Sequence, residues 1–139
     1  MRKPSVIAVT PPVRRVIVAQ ARREQPHECC GLLVGDRGHI QYAVPMRNVA
    51  ASPTRYRIDD ASHLELRRVI RQFSPSLSIL GVYHSHPAGG SDPSPTDIDE
   101  AMYPDWTYII VGLDGRRLTV RAFRIRMGAV QEIKIDWRT

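Results

Sequence analysis

Apolar residues near the start of the chain recur first with a helical and then with a strand period. Val13, Val16, Ile17 and Ala21 return on one helix face. Thr10-Pro11-Pro12 reads as the helix start, with Thr10 as cap and Pro11 in the first turn. The helix is expected to run to about Glu24, with Pro26 as its stop. Gly31-Leu32-Leu33-Val34-Gly35 then reads as a short buried strand, and a second strand from His39 to Val44 completes a hairpin across Asp36-Arg37-Gly38. Arg55 to Ile58 is a short strand candidate. After Asp59-Asp60 the helical period returns with Leu66, Val69, Ile70 and Phe73.

Ser78 to Tyr83 is a continuous apolar run between Pro75 and Pro87, the pattern of a central strand, and it ends in His84-Ser85-His86. The glycines and proline of Ala88 to Pro93 make a loop, after which Ser94-Pro95-Thr96-Asp97 opens a short helix. The remainder is strand-like: Thr107 to Val111, Leu118 to Ile125 and Ala129 to Ile135, with turns at Leu113-Asp114-Gly115 and Met127-Gly128. Helices and strands interleave at the front and strands dominate the back. The expected class is therefore α/β in the mixed α+β sense: one domain over residues 1–139, built on a curved, largely antiparallel sheet flanked by helices. There is no repeat, low-complexity tract or linker.

Composition narrows the setting. The apolar fraction is 42% and no segment approaches the roughly 20 apolar residues needed to span a bilayer. The start, Met1-Arg2-Lys3-Pro4-Ser5, is basic, but Val6 to Val9 is far shorter than a signal-peptide core, so a cytosolic protein without a membrane partner is expected. Cys29 and Cys30 are adjacent; a bond between them would be a strained ring, and they read as reduced thiols in the role of small buried hydrophobes. The net charge of +6 comes from 18 arginines and two lysines against 14 acids. The arginines are scattered in pairs rather than massed, the pattern of an ordinary solvated surface more than of a nucleic-acid face.

Residues two apart on a strand point to one side of the sheet, so His84 and His86 at a strand end present two imidazoles to one point. That is a metal-ligand geometry. Zinc accepts imidazole nitrogen and carboxylate oxygen, and a catalytic site takes three protein ligands and leaves the fourth position to water. Asp97, in the first turn of a helix reached by a short loop, is the candidate third ligand. The attacking water needs a base and the leaving amine an acid. Glu28, just before a buried strand where desolvation raises a carboxyl pKa, is the candidate for both. Ser94 is the candidate donor to the oxyanion. Each has a plainer reading by itself: Ser94 to Asp97 has the form of a capping box, the histidines could end a surface strand, and most glutamates are solvated. His27, His39 and His63 have no partner at a telling distance. His27-Glu28-Cys29-Cys30-Gly31 is not the helical zinc-protease motif, because its fifth residue is glycine where a second histidine is required.

Taken jointly, Glu28, His84-Ser85-His86, seven residues, Ser94, two residues and Asp97 resemble the JAMM motif of the MPN-domain metalloproteases, E…H-[ST]-H-x7-S-x-x-D, at every position. Pro26-His27-Glu28-Cys29-Cys30-Gly31, Pro45-Met46-Arg47-Asn48 and Ser52-Pro53-Thr54-Arg55-Tyr56 are similar to segments of its short bacterial members. The resemblance spans nearly the whole chain and departs from those members in the glycine-rich loop from Pro87 to Pro93. It implies the MPN fold, one zinc ion per chain, and a peptidase or isopeptidase acting after the C-terminal Gly-Gly of a small ubiquitin-fold protein, such as a sulfur carrier. It also implies that the extended tail pairs along a sheet edge, and that Arg55, Arg57, Arg67 and Arg71, between the two catalytic segments, meet the body of that partner. Other expectations from the same motif are a deubiquitinase-like protease on other ubiquitin-fold conjugates, an assembly scaffold, a RadC-like DNA-associated protein and a cell-wall or phage-tail peptidase. The complete residue set speaks against a scaffold, the lack of a helix-hairpin-helix module ahead of the motif against RadC, and the lack of an export signal or partner domain against a cell-wall enzyme. A homodimer is left open.

Overall fold

The computed structural model describes residues 5–138; the basic start Met1 to Pro4 lies outside the described residues. The elements are β1 (Val6–Val9), α1 (Pro11–Glu24), β2 (Cys30–Asp36), β3 (His39–Met46), α2 (Asp60–Phe73), β4 (Ser78–His86), α3 (Pro95–Asp99), β5 (Thr107–Asp114), β6 (Arg117–Arg126) and β7 (Ala129–Trp137). The strands form one sheet in the order β1-β3-β2-β4-β5-β6-β7, which closes where β1 pairs with β7. Pairings β2–β3, β2–β4, β5–β6 and β6–β7 are antiparallel. Those of β1–β3, β1–β7 and β4–β5 are parallel.

The central strands are buried on both faces, which is why they read as unbroken apolar runs. One cluster gathers Val13, Ile17 and Ala21 of α1 against Leu33, Tyr83, Ile109 and Val111. The other gathers Leu32, Val82, Tyr108, Ile110 and Phe123, with Tyr56, Ile58, Leu66 and Trp106 packed against it. Adjacent residues serve opposite faces, so Cys29 joins the first cluster and Cys30 the second. Both cysteines are free and buried, and burial pushes their thiols up to about 11 and about 12, so they stay protonated at neutral pH.

Two expectations need correction, and two features were not foreseen. β1 was not expected: four apolar residues carry too little period to announce a strand, and pairing with Lys134 to Trp137 makes it one. Arg55 to Ile58 is no strand; it makes only the bridge Asn48↔Ile58, because the Asn48 side chain takes the Arg57 N–H that a ladder would use. Thr10 stands at the α1 N-cap position, but its hydroxyl donates to the Gln41 carbonyl (3.0 Å) instead of capping. α2 forms as expected, with its apolar stripe only partly covered: Leu66 packs against the second cluster, no residue is fully buried and Phe73 is 68% exposed.

Gly81 lies where β4 and β5 run parallel, opposite Thr107. A Cβ there would meet the Thr107 carbonyl oxygen at 2.0 Å, and backbone cannot yield as a flexible side chain does. Gly81→Ala is therefore expected to lower the unfolding midpoint in urea by the equivalent of at least about 1–3 kcal/mol; an unchanged midpoint would show that the strands can separate without loss.

Candidate active site

The antiparallel register of β2 on β4 sets Cys30 opposite His84. The ladder continues past the end of β2, where the Ser85 N–H donates to the Cys29 carbonyl (3.1 Å) and the Cys29 N–H to Ser85 Oγ (2.8 Å). One pair further along, Glu28 comes opposite His86. With the strand period of two, Glu28, His84 and His86 all face one side. Two segments more than fifty residues apart in sequence thereby become one site.

The parallel neighbour β5 brings the third component. A parallel pair requires a long crossover, and this one leaves the histidine end of β4 and carries α3 across it before returning to Thr107. At the start of α3, Ser94 Oγ accepts from the Asp97 N–H (3.0 Å) while Asp97 Oδ2 accepts from the Ser94 N–H (2.9 Å). The capping box is real, and it also positions the ligand, since the carboxylate that caps the helix is the one aimed at the histidines.

His84 Nε2, His86 Nε2 and Asp97 Oδ2 form a triangle with edges of 3.2, 3.1 and 3.0 Å. In a tetrahedral site with metal–ligand bonds of about 2.0–2.1 Å, neighbouring ligand atoms stand about 3.3 Å apart, so the triangle has the size of one tetrahedral face. His86 Nδ1 donates to the Gly90 carbonyl (2.7 Å), which leaves its Nε2 lone pair turned toward Asp97. Three such groups converging this closely need a proton or a cation between them. These residues fit a divalent metal.

Burial holds the His84 pKa down, favouring the neutral form a metal needs. Burial also opposes charge on His86 and Asp97. For His86 the bonds to Asp97 and Gly90 outweigh it and raise the pKa. For Asp97 the two imidazoles and the Ser94 N–H outweigh it, and the carboxyl is held far below the usual range. Glu28 is 3% exposed, and its Oε1 has no hydrogen-bond partner among the described residues. Burial, only partly offset by His86, raises its pKa to about 8 before any metal binds; a divalent cation on the triad pulls it back down. Glu28, His86 and Ser94 line a cleft of about 400 Å³, walled by Pro53-Thr54 and by Pro87 to Gly90.

Several residues that sequence reasoning passed over shape this site. Ser85 locks the Glu28 segment to β4; its place inside the motif was the available signal. Tyr56 stacks on the His84 ring, with centroids 4.4 Å apart and planes at 22°. Gly112 admits the Gly89-Gly90 backbone so closely that a Cβ would lie 2.7 Å from the Gly90 carbonyl carbon; nothing in its local sequence marks it. The expected arginines lie apart from the triad. Arg55 pairs with Glu100 (3.1 Å) and Arg57 with Asp60 (3.4 Å). Arg67 donates to His63 Nε2 (3.0 Å) on α2, where Arg71 is exposed in the last turn. The expected free sheet edge is absent at the histidines, because β4 is paired on both sides.

The closed mixed sheet with a His-His-Asp triad, a buried glutamate and a serine cap places the molecule in a known class: residues 10–126 match the family of prokaryotic homologs of the JAB domain, and the chain belongs to that family. It is 36% identical over 134 residues to the CysO-cysteine peptidase of Mycobacterium tuberculosis, spanning 94% of this chain and 90% of that protein. It is 39% identical over 118 residues to a probable TtuB-protein conjugate cleaving protease of Thermus thermophilus, spanning 84% of this chain and 73% of that one. The solution structure of a Desulfitobacterium hafniense protein superposes with a TM-score of 0.85 at 29% identity, covering 95% of this chain and 92% of that one. A JAB1/MPN domain protein from Archaeoglobus fulgidus shares the fold at a TM-score of 0.60 and 18% identity, over 96% of this chain and all of that one. Among the described residues no helix is long and apolar enough to cross a membrane.

The raised pKa of Glu28 predicts the pH dependence of the metal-free protein. Between its unfolded value of 4.5 and about 8, the folded chain holds a proton that the unfolded chain has released. The stability that this provides is complete below 4.5 and is lost as pH rises through about 8. In chelator-treated samples, urea midpoints of the wild type should therefore fall relative to Glu28→Gln across this window and level off above it. Parallel pH profiles would mean that Glu28 is solvated.

Proposed function

We propose that this protein is a zinc-dependent peptidase that hydrolyses the amide bond after the C-terminal Gly-Gly of a small ubiquitin-fold protein, in the first instance a sulfur carrier. The observation that carries the reading is the convergence of three ligand atoms within 3.2 Å of one another beside a buried carboxylate oxygen that has no partner among the described residues. Two relatives are named for CysO-cysteine peptidase and TtuB-protein conjugate cleaving activity, which supports the bond type and the partner class.

His84, His86 and Asp97 would hold the zinc. When bound, the ion supplies Lewis acidity, acidifying water and polarising the scissile carbonyl. Glu28 then takes the proton of the attacking water and delivers it to the leaving amine nitrogen, two transfers that a carboxyl tuned upward by burial is suited to make. Ser94 Oγ uses a lone pair on the Asp97 N–H, and its own hydrogen is left to donate to the carbonyl oxygen as negative charge develops there. The scissile bond lies in the cleft between Pro53-Thr54 and the Gly89-Gly90 loop. With β4 paired on both sides, the tail reaches it along the neighbouring groove of about 460 Å³ lined by Tyr56, Arg57, Tyr103 and Trp106.

Elemental analysis of purified protein should give one zinc per chain, and none in His84→Ala/His86→Ala. Glu28→Gln should keep the zinc and lose on the order of 10² to 10⁴ in the rate of cleavage of a Gly-Gly-linked carrier protein. Zinc at full stoichiometry in the double variant would falsify the ligand assignment, and near-wild-type turnover in Glu28→Gln would remove that residue from the reaction.

Arg55, Arg57, Arg67 and Arg71 are proposed to face the body of the partner. Arg55 and Arg57 already have acidic neighbours, so Arg67 and Arg71 carry the test. Attraction between opposite charges raises the encounter rate and weakens as salt screens it. Carrier-protein cleavage should therefore slow from low to physiological salt, while cleavage of a short neutral Gly-Gly amide barely changes. Arg67→Glu/Arg71→Glu should flatten the first dependence; the same salt slope in both enzymes eliminates this surface.

A further inference from the structure

The two metal-binding imidazoles are oriented by different means. His86 has an outer partner, its Nδ1 donating to the Gly90 carbonyl. His84 is 1% exposed and its Nδ1 has no hydrogen-bond partner among the described residues. A ligating histidine ordinarily takes its tautomer and its ring angle from a bond at the second nitrogen. What His84 has in its place is Tyr56, stacked on its ring face at 4.4 Å.

Tyr56 lies in irregular chain, and one buried side chain holds the backbone on both sides of it. Asn48, 8% exposed, donates from Nδ2 to the Arg55 carbonyl (3.0 Å) and accepts at Oδ1 from the Arg57 N–H (2.9 Å), so it holds both neighbours of Tyr56. The same Nδ2 donates to the Glu28 carbonyl (3.0 Å), and the same Oδ1 accepts from the Ala50 N–H (3.0 Å). Both amide hydrogens and both oxygen lone pairs are used, and only this orientation of the amide satisfies all four partners. The Glu28 N–H is in turn held by the Ser52 carbonyl (2.9 Å), within the same loop.

We propose that Asn48 and Tyr56 form one positioning unit for the metal centre: Tyr56 fixes the ring plane of His84 by stacking, and Asn48 fixes Tyr56 and Glu28 relative to each other. The unit lets one loop set both a metal ligand and the proton carrier. The inference rests on the functional reading above, because the value of a fixed His84 plane is the metal it holds. The stack needs an aromatic face and not the hydroxyl, whereas the Asn48 role needs both donors. A carboxylate at 48 keeps the shape and the two accepted bonds but turns oxygen toward the Glu28 and Arg55 carbonyls.

The test is metal affinity of the full chain by chelator competition, together with the visible absorption of the cobalt(II)-loaded protein, which reports ligand geometry. Tyr56→Phe should match wild type in both. Tyr56→Leu should weaken metal binding by about 10- to 100-fold and alter the cobalt spectrum. If Tyr56→Leu does not fold in a thermal melt, Tyr56→Met, which fills the space without an aromatic plane, replaces it. Asn48→Asp should weaken the metal and lower kcat more than it raises KM, because it displaces Glu28 as well. Wild-type affinity and spectra in both the Tyr56 aliphatic variant and Asn48→Asp overturn this inference and leave the functional reading standing. A wild-type chain that binds no metal overturns that reading, and this one with it.

Discussion

The register of β2 on β4 is the constraint on which the site depends. It sets Cys30 opposite His84, and the same register carried two residues past the end of β2 brings Glu28 to the level of His86 on the same face. A slip of one residue would turn Glu28 away from the metal ligands and would exchange the apolar sets of both strands between the two faces. Both sets are buried, Leu33 and Tyr83 in one cluster and Leu32 and Val82 in the other, so the slip is opposed by the whole core. The energy that defines the catalytic geometry is thus largely apolar burial, spent far from any reacting atom. Gly31 belongs to the same design: a Cβ there would lie 2.3 Å from the Tyr83 ring, so the ring can lie over residue 31 because that position has no side chain.

Polar interactions refine what the register makes available. The capping box aims Asp97, the Gly90 carbonyl aims His86, and the stacked ring of Tyr56 meets His84. Glu28 differs: its buried Oε1 has no hydrogen-bond partner among the described residues. That is unfavourable for the metal-free fold and useful for proton transfer, the usual bargain by which a functional group is held where water would otherwise solvate it.

Membership in the JAB family joins the fold to the chemistry, and the features outside the motif distinguish this chain. Several of its surface arginines are matched locally: Arg121 with Asp92 and Glu132, Arg126 with Asp105, Arg68 with Glu65. Such exposed pairs contribute little to stability individually.

How much of this was readable in advance follows from the range of the interactions. His84 and His86 were suggestive because the strand period puts them on one side without any tertiary information, whereas Glu28, Ser94 and Asp97 stood out only through the joint pattern that resembles the JAMM motif. α1, the β2–β3 hairpin and the last three strands were readable because their periods are local. β1 was not, since its four residues become a strand only by pairing with β7 at the other end of the chain. Arg55 to Ile58 looked like a strand because its residue types favour one, and lost that identity to a side chain seven to nine residues away. Tyr56, Asn48 and Gly112 carry no local signature of their roles, which consist of a stack, four hydrogen bonds and a close backbone approach to partners brought near by folding. Residue identity and spacing determined which atoms could bind a metal and move a proton. Only the closed sheet decided that they meet, because the distance between Glu28 and His86 is set by strand register and packing, and these are properties of the whole chain.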